Sequence, residues 1–165
     1  MNYLTIDQFS KLIYRKDFRQ LNAPEKGKCI QEFIKLILKT EKYFISNRIN
    51  RDHDFILNNK YKIEVKGSTE WGNSQTFKFQ QIRDNDWNFL CCLGISNDNN
   101  LYFYWVDKLS IVNEWTSDRK VITGQHTGST AKETKWANIK YLKPDYLFGT
   151  GTFENFLKSV KESVK

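Results

Sequence analysis

The chain has 165 residues, of which 39% are hydrophobic and 15% aromatic, and this composition excludes a disordered chain and suffices for one domain with its own core. Its apolar runs are short and interrupted, which excludes a membrane-spanning segment and predicts a soluble protein without a membrane partner. The formal net charge of +7 and the pI of about 9.2 indicate a polyanionic partner, provided that the positive side chains gather in one patch.

The first residues, MNYLTIDQFSKLIYRKDF, are amphipathic and contain an acid, unlike a secretory signal, and we therefore predict a cytoplasmic location. The cysteines agree with this location. Cys29 lies in a helical pattern, and Cys91 and Cys92 are adjacent on a predicted strand, so all three are predicted to be reduced residues in or near the core. Since His53 and His126 are the only histidines, the sequence offers no zinc ligand set.

Apolar periodicity predicts the elements of the first two thirds of the chain. Residues 25 to 39 place five large apolar side chains at helical spacing, and Pro24 lies where a first-turn proline is typical, which predicts a core-facing helix. The segment DFILNNKYKIEVKG is typical of a β-hairpin. Two strands are predicted next, WNFLCCLGIS and NLYFYWVD, joined by the turn-rich NDNN.

The last third combines two helices with a polar segment. A short helix is predicted over residues 107 to 115, and residues 116 to 135 are polar, basic and glycine-containing, as in a long loop or weak hairpin that carries function. The C-terminal TFENFLKSVKESVK predicts a helix that Thr152 caps. We find no repeat or linker, so residues 1 to 165 are predicted to form a single α/β or α+β domain.

The hairpin has one favourable register. An odd-length loop centred on Asn59 pairs Leu57 with Tyr61 and Phe55 with Ile63, which gathers the apolar residues on one face. A two-residue loop would instead pair apolar with charged residues on both faces. The sequence therefore predicts the odd-length loop.

This register places Asp54 opposite Glu64, with Lys66 one step along on the same side. Two carboxylates at a cross-strand spacing repel unless a cation lies between them, and hard oxygen ligands suit Mg²⁺, for which Mn²⁺ is expected to substitute. The carbonyl of Val65 would add a third oxygen. Lys66 would then orient or deprotonate a water, or stabilise a pentacoordinate phosphate, so the pattern predicts phosphodiester hydrolysis. The alternative is a solvated hairpin face with ordinary charge pairing.

Over residues 25 to 105, the order of a glutamate-bearing helix, an acidic hairpin and a Glu-x-Lys strand resembles the PD-(D/E)xK nuclease superfamily. Asp54, Glu64 and Lys66 match its core residues, although no proline precedes the aspartate. The segment GKCIQE resembles the first-helix segment of the superfamily, which implies that Glu32 is its auxiliary acidic residue.

The stretch GSTEWGNSQTFKFQQIRDNDWNFLCCLGIS resembles small type II restriction endonucleases, in which a polar loop and a Gln/Arg-bearing helix precede a hydrophobic strand. The resemblance implies a restriction-endonuclease-like core with a central mixed β-sheet flanked by helices. It also implies an Mg²⁺-dependent endonuclease that cuts double-stranded DNA at a specific sequence.

Two polar segments carry side chains suited to phosphates or base edges. The first segment supplies Gln75, Lys78, Gln81 and Arg83. The second, within residues 116 to 140, supplies Arg119, Lys120, Gln125, His126, Lys132 and Lys135. A solvated loop is the alternative for the second segment. Trp71 and Trp136 could stack on bases, but packing within the protein is favoured.

Several functions remain open at this stage. A Holliday-junction resolvase or a homing endonuclease would use the same fold, and a non-catalytic DNA-binding module would keep the fold without the chemistry. Because one site cuts one strand, we predict a homodimer on a palindromic target, with a monomer that nicks each strand in turn as the alternative. For a restriction enzyme, a cognate methyltransferase is a further expected partner.

Overall fold

The computed structural model describes residues 18–114, 121–124 and 134–165. A 3-10 turn at Phe18–Gln20 precedes the first helix. The helices are α1 (Ala23–Thr40), α2 (Lys108–Asn113) and α3 (Phe153–Ser163), and the strands are β1 (Ile45–Asn47), β2 (Phe55–Leu57), β3 (Tyr61–Thr69), β4 (Thr76–Ile82), β5 (Phe89–Ile95), β6 (Leu101–Asp107), β7 (Ile122–Gly124) and β8 (Lys135–Lys140). No helix in these ranges is both long and apolar enough to cross a membrane.

The central sheet is mixed. Its five strands run in the order β1-β2-β3-β5-β6, with β3 and β5 parallel and the other neighbours antiparallel. The predicted fold class, α+β with a central mixed sheet flanked by helices, is confirmed. All seven residues of β5 are buried, as expected for a strand covered on both faces.

A second sheet of three strands, in the order β4-β8-β7, was not predicted. The Gln/Arg-bearing helix implied after Lys66 is wrong, because the segment Thr76–Ile82 is strand β4 and pairs antiparallel with β8. Phe77 and Phe79 alternate with more exposed neighbours and are fully buried, which is strand periodicity. The weak hairpin predicted within residues 116 to 135 is present in part, since β7 pairs with β8.

Two cores lie on opposite faces of the central sheet. The first joins α1 and α3 to sheet residues such as Cys91 and Leu93. The second lies between the two sheets, where Leu90 and Cys92 meet Phe77 from β4. The three cysteines are free and buried, as predicted. The molecule is therefore layered as helices, central sheet and second sheet.

Helix α1 begins with a complete capping box. The side chain of Asn22 accepts a hydrogen bond from the N–H of Glu25, and the Glu25 carboxylate accepts one from the N–H of Asn22. Pro24 lies in the first turn, as predicted, and the apolar stripe faces the core. At the other end of the chain, the hydroxyl oxygen of Thr152 accepts a hydrogen bond from the N–H of Asn155, which confirms the predicted N-cap of α3.

The hairpin of β2 and β3 adopts the predicted register, with Leu57 opposite Tyr61 and Phe55 opposite Ile63. Asn58 and Asn59 both have positive φ angles, of 52° and 55°. The N–H of Lys60 donates to the Leu57 carbonyl, so a tight turn at Asn58 and Asn59 is followed by one extra residue, Lys60, before β3. That extra residue keeps the apolar side chains of the hairpin on one face.

Candidate active site

Asp54 lies where the ladder between β2 and β3 ends. Its N–H donates to the Ile63 carbonyl over 2.8 Å, and its Oδ2 accepts a hydrogen bond of 2.7 Å from the N–H of Val65. The Asp54 carboxylate thus occupies the edge of β3, at the place that a strand partner would otherwise fill. Since the N–H and C=O of one strand residue point to the same side, the Val65 carbonyl faces this edge too.

Glu64 and Lys66 lie beside this edge and form an ion pair. The Nζ of Lys66 is 2.7 Å from Oε1 of Glu64, and the two side chains are only 20% and 17% exposed. Both alternate with Val65, which faces the helices, so they project toward the face that carries the second sheet. The hairpin therefore brings the three predicted residues Asp54, Glu64 and Lys66 together.

The electrostatics of the site disfavour two negative charges. Burial raises the pKa of Asp54, and this effect outweighs the hydrogen bond from Val65 and the nearby positive charges. Burial also raises the pKa of Glu64, where the charge of Lys66 opposes the effect and the charge of Asp54 adds to it. Each carboxylate is thus partly desolvated, and a cation would stabilise the pair in its ionised form.

The donor set fits a hard divalent cation. The described ranges contain no group of three or more His, Cys, Asp or Glu side chains that could hold a metal, so side chains alone do not complete a site. Two carboxylates, Asp54 and Glu64, together with the backbone carbonyl of Val65, would supply oxygen ligands, and Mg²⁺ commonly retains several waters. These residues would therefore suit Mg²⁺ or Mn²⁺ rather than zinc.

Helix α1 contributes Gln31 rather than Glu32 to Asp54. The Nε2 of Gln31 donates to Oδ1 of Asp54 over 2.7 Å. Glu32, the auxiliary acid that the resemblance implied, is 47% exposed and pairs with Lys35 at 3.1 Å. A catalytic part for Glu32 stays a prediction, whereas Gln31 was missed because helical periodicity does not say which polar residue beside the apolar stripe meets the hairpin.

For the DNA cleavage that the resemblance implies, we expect Gln31→Ala to lower the rate by about tenfold, because the Asp54 carboxylate loses one of the two donors that orient it. Glu32→Ala is the matched control from the same helix and is expected to cause a smaller loss. The measurement is the rate of plasmid cleavage at saturating Mg²⁺. A larger loss in Glu32→Ala than in Gln31→Ala would reverse the two assignments.

The metal-free protein should be stabilised by Asp54→Asn near neutral pH. A carboxyl group whose folded-state pKa is raised makes folding more favourable as the pH falls through that pKa, and its ionisation above that pKa costs stability. The asparagine removes this cost, and its Oδ1 can still accept from Val65. We expect a higher Tm for the variant in EDTA at about pH 7 and a shrinking difference toward about pH 4. A constant difference would exclude Asp54 as the titrating group.

A cleft of about 400 Å³ runs along the open edge of β3, next to the site. The ladder with β2 ends at Ile63, and among the described strands no other partner covers this side of β3 up to Thr69. The walls of the cleft are the first half of α1 and strand β4. Three lysines line it: Lys26 from α1, Lys66 from β3 and Lys78 from β4. The positive charge thus gathers around Lys66, which is ion-paired with Glu64.

Strand β4 carries two of the predicted DNA-contacting residues into this cleft, Lys78 and Gln81. The register with β8 shifts between Phe79 and Ile82, and Gln81 has a φ of 57°, so a bulge redirects the side chains at this point. Gln80, which was not predicted, lines the cleft as well. A bulge beside a candidate site is a common way to aim side chains at a ligand.

The remaining predicted DNA contacts lie elsewhere. Gln75 is exposed in the turn between β3 and β4, and its N–H donates to Glu70. Arg83 follows β4 and donates to the hydroxyl of Thr134, and Lys135 begins β8. Five predicted contacts fall outside the described residues: Arg119, Lys120, Gln125, His126 and Lys132.

Comparisons with known proteins give matches among solved structures alone. No protein-family model matches the chain, and no curated protein matches it. Among solved structures, the bacterial homing endonuclease I-Ssp6803I is 11% identical, with a TM-score of 0.49 over 87% of this chain and 99% of the other. A functional assignment for this chain therefore rests on its own residues.

Proposed function

We propose that the chain is a divalent-metal-dependent endonuclease of restriction type that hydrolyses phosphodiester bonds of double-stranded DNA. The observation that carries the proposal is that Lys66, ion-paired with Glu64, and Val65, whose N–H binds Asp54, line a cleft to which Lys26 and Lys78 also contribute. Carboxylates that bind a divalent cation, an amine and a basic groove are the parts that phosphodiester hydrolysis needs.

In this proposal Asp54, Glu64 and the Val65 carbonyl hold Mg²⁺ or Mn²⁺, which when bound would polarise a phosphoryl oxygen and lower the pKa of a coordinated water. Gln31 and the Val65 N–H fix the Asp54 carboxylate from two directions. Lys66, held by Glu64, donates from its ammonium group to a phosphate oxygen and stabilises the charge that develops in the pentacoordinate phosphate.

The cleft supports the proposal through its lysine and glutamine side chains. Lys26 from α1 and Lys78 from β4 both line the cleft, where they can neutralise phosphates of one strand. Gln80 and Gln81 add amide groups, which can donate to phosphates or to base edges. Binding that relies on these contacts should weaken steeply as the salt concentration rises.

The test is cleavage of two substrates by the purified chain with Mg²⁺: a supercoiled plasmid of mixed sequence and a four-way junction, each with a Glu64→Gln control. Discrete plasmid fragments would support a restriction-type endonuclease. Symmetric resolution of the junction alone would support a resolvase, and a cut at one long rare site would support a homing endonuclease. Binding without cleavage would leave a DNA-binding module and overturn the proposal.

Assembly gives a further prediction. We expect two chains on one palindromic duplex, because one site hydrolyses one strand and a second site is needed for the other strand. Two-fold symmetry is the common way for a small protein to present that second site. Sedimentation of the Glu64→Gln protein with a short cleavable duplex measures the stoichiometry. One chain per duplex, together with nicked circles that accumulate before linear DNA, would instead support a monomer that nicks each strand in turn.

A further inference from the structure

Trp71 is an exposed aromatic side chain on a well-braced turn. It is 49% exposed, yet its N–H donates to the Thr76 carbonyl over 2.8 Å and its own carbonyl accepts from the N–H of Ser74. The preceding Glu70 ties the turn to its surroundings, since its carboxylate accepts hydrogen bonds from Gln75, Asn97 and Tyr141. The backbone of the turn that carries the indole is therefore held in place before any ligand arrives.

Lys78 and Trp136 fix this indole from the protein side. The Nζ of Lys78 is 4.4 Å from the centre of the Trp71 ring and 4.9 Å from that of Trp136, and the two rings are 6.0 Å apart. Among the residues that the structure describes, no carboxylate lies within ion-pair distance of Lys78. A positive charge beside an exposed aromatic face is suited to a phosphate and a base of the same nucleotide.

Trp71 and Lys78 line the same cleft as Lys66. Trp71 follows Lys66 by five residues, so their Cα atoms are at most about 17 Å apart. Phosphates of one strand of a duplex are spaced by roughly 3.4 Å along the helix axis, so this backbone distance corresponds to about five nucleotides. A base on Trp71 would thus lie close to the phosphate at Lys66.

We propose that Trp71 and Lys78 bind a nucleotide whose base has left the duplex stack, with the base on the indole and the phosphate at the ammonium group. In a paired duplex both faces of each base are covered by neighbours, so an indole can stack only on a base that is unpaired or displaced. The inference rests on the proposed endonuclease function and adds a feature of its bound double-stranded substrate: one nucleotide within about five positions of the cut is displaced from the stack, and an unpaired nucleotide mimics it. It also reverses the expectation that Trp71 only packs.

The test compares two labelled duplexes in EDTA, identical except that one carries a single unpaired nucleotide. The unchanged chain should bind the second about tenfold more tightly, since stacking of a base on an aromatic ring contributes roughly 1–3 kcal/mol. Trp71→Ala should abolish the difference, Trp71→Phe should keep most of it, and Lys78→Ala should weaken both complexes and reduce their salt dependence. Phe44→Ala is the matched control, because Phe44 is 57% exposed but does not line the cleft.

Equal affinity of the unchanged chain for the two duplexes, or an equal loss for both in Trp71→Ala, would overturn the inference. Its failure is distinguishable from failure of the endonuclease proposal, because the binding assay contains no metal and requires no cleavage. A Trp71-dependent preference without plasmid cleavage in Mg²⁺ would support the nucleotide site and reject the nuclease. Plasmid cleavage without a Trp71-dependent preference would support the nuclease and reject the nucleotide site.

Discussion

Alanine at Asp54, Glu64 or Lys66 is expected to reduce DNA cleavage by roughly 10³-fold or more, since in the proposed mechanism each change removes a group that acts directly on the reacting phosphate or on its metal. Asp54→Ala and Glu64→Ala each remove one of the two carboxylates at the edge of β3. Lys66→Ala removes the ammonium group 2.7 Å from Glu64. The rate is measured as first-order loss of supercoiled plasmid at saturating Mg²⁺.

The fold should survive these substitutions, because the apolar face of the hairpin, with Phe55, Ile63 and Val65, is unchanged. Circular dichroism and DNA binding in EDTA check this point. Lys62→Ala is the matched control: Lys62 lies on the same face of β3 and also forms an ion pair, with Asp86, but does not line the cleft. If one of the three active-site variants cuts at close to the parent rate, the two-carboxylate site as described is wrong.

Gly94→Ala is expected to be the most destabilising small substitution between the two sheets. A Cβ at Gly94 would lie 2.3 Å from Cε2 and 2.4 Å from Cδ2 of Phe77. The Phe77 ring is fully buried, and its centre is 4.8 Å from that of the Tyr141 ring on which it stacks. The ring could therefore shift only by displacing its neighbours. Overpacking of this kind costs roughly 2–3 kcal/mol, which corresponds to a fall in Tm of about 5–10 °C for a chain of this length.

Two further variants make the result specific. Gly27→Ala is the control, because no atom lies within 4 Å of the added Cβ in helix α1, and alanine there should raise stability by about 0.5–1 kcal/mol. Phe77→Leu shortens the ring that Gly94→Ala would strike, so the double variant should lose less stability than the sum of the single variants. An unchanged Tm in Gly94→Ala would mean that the second sheet does not pack on β5 at this point.

Local patterns in the sequence were sufficient to predict the elements that carry the candidate site. The stripe of apolar residues in α1 and the short loop at Asn59 act over a few residues, so the helix and the hairpin register could be predicted from them. The register in turn brought Asp54 next to Glu64 and Lys66. The cap of α1 was also within reach, since Asn22 and Glu25 have the capping-box spacing.

The second sheet depended on pairing between distant residues. Strand β4 pairs with β8, which begins more than fifty residues later, so the sequence near Phe77 did not indicate which strand would pair with it. Hydrogen bonds to β8 and packing of Phe77 against Gly94 favour a strand over a helix for Thr76–Ile82.

The sequence by itself determined the helix, the hairpin and the three residues proposed for catalysis, because contacts along one element or across one turn decide them. Only the tertiary structure decided that Gln31 rather than Glu32 meets Asp54, and that Trp71 and Lys78 line a cleft beside Lys66. Those contacts join elements that are brought together by burial of the two cores, and the free energy of that burial depends on the whole chain rather than on any one segment.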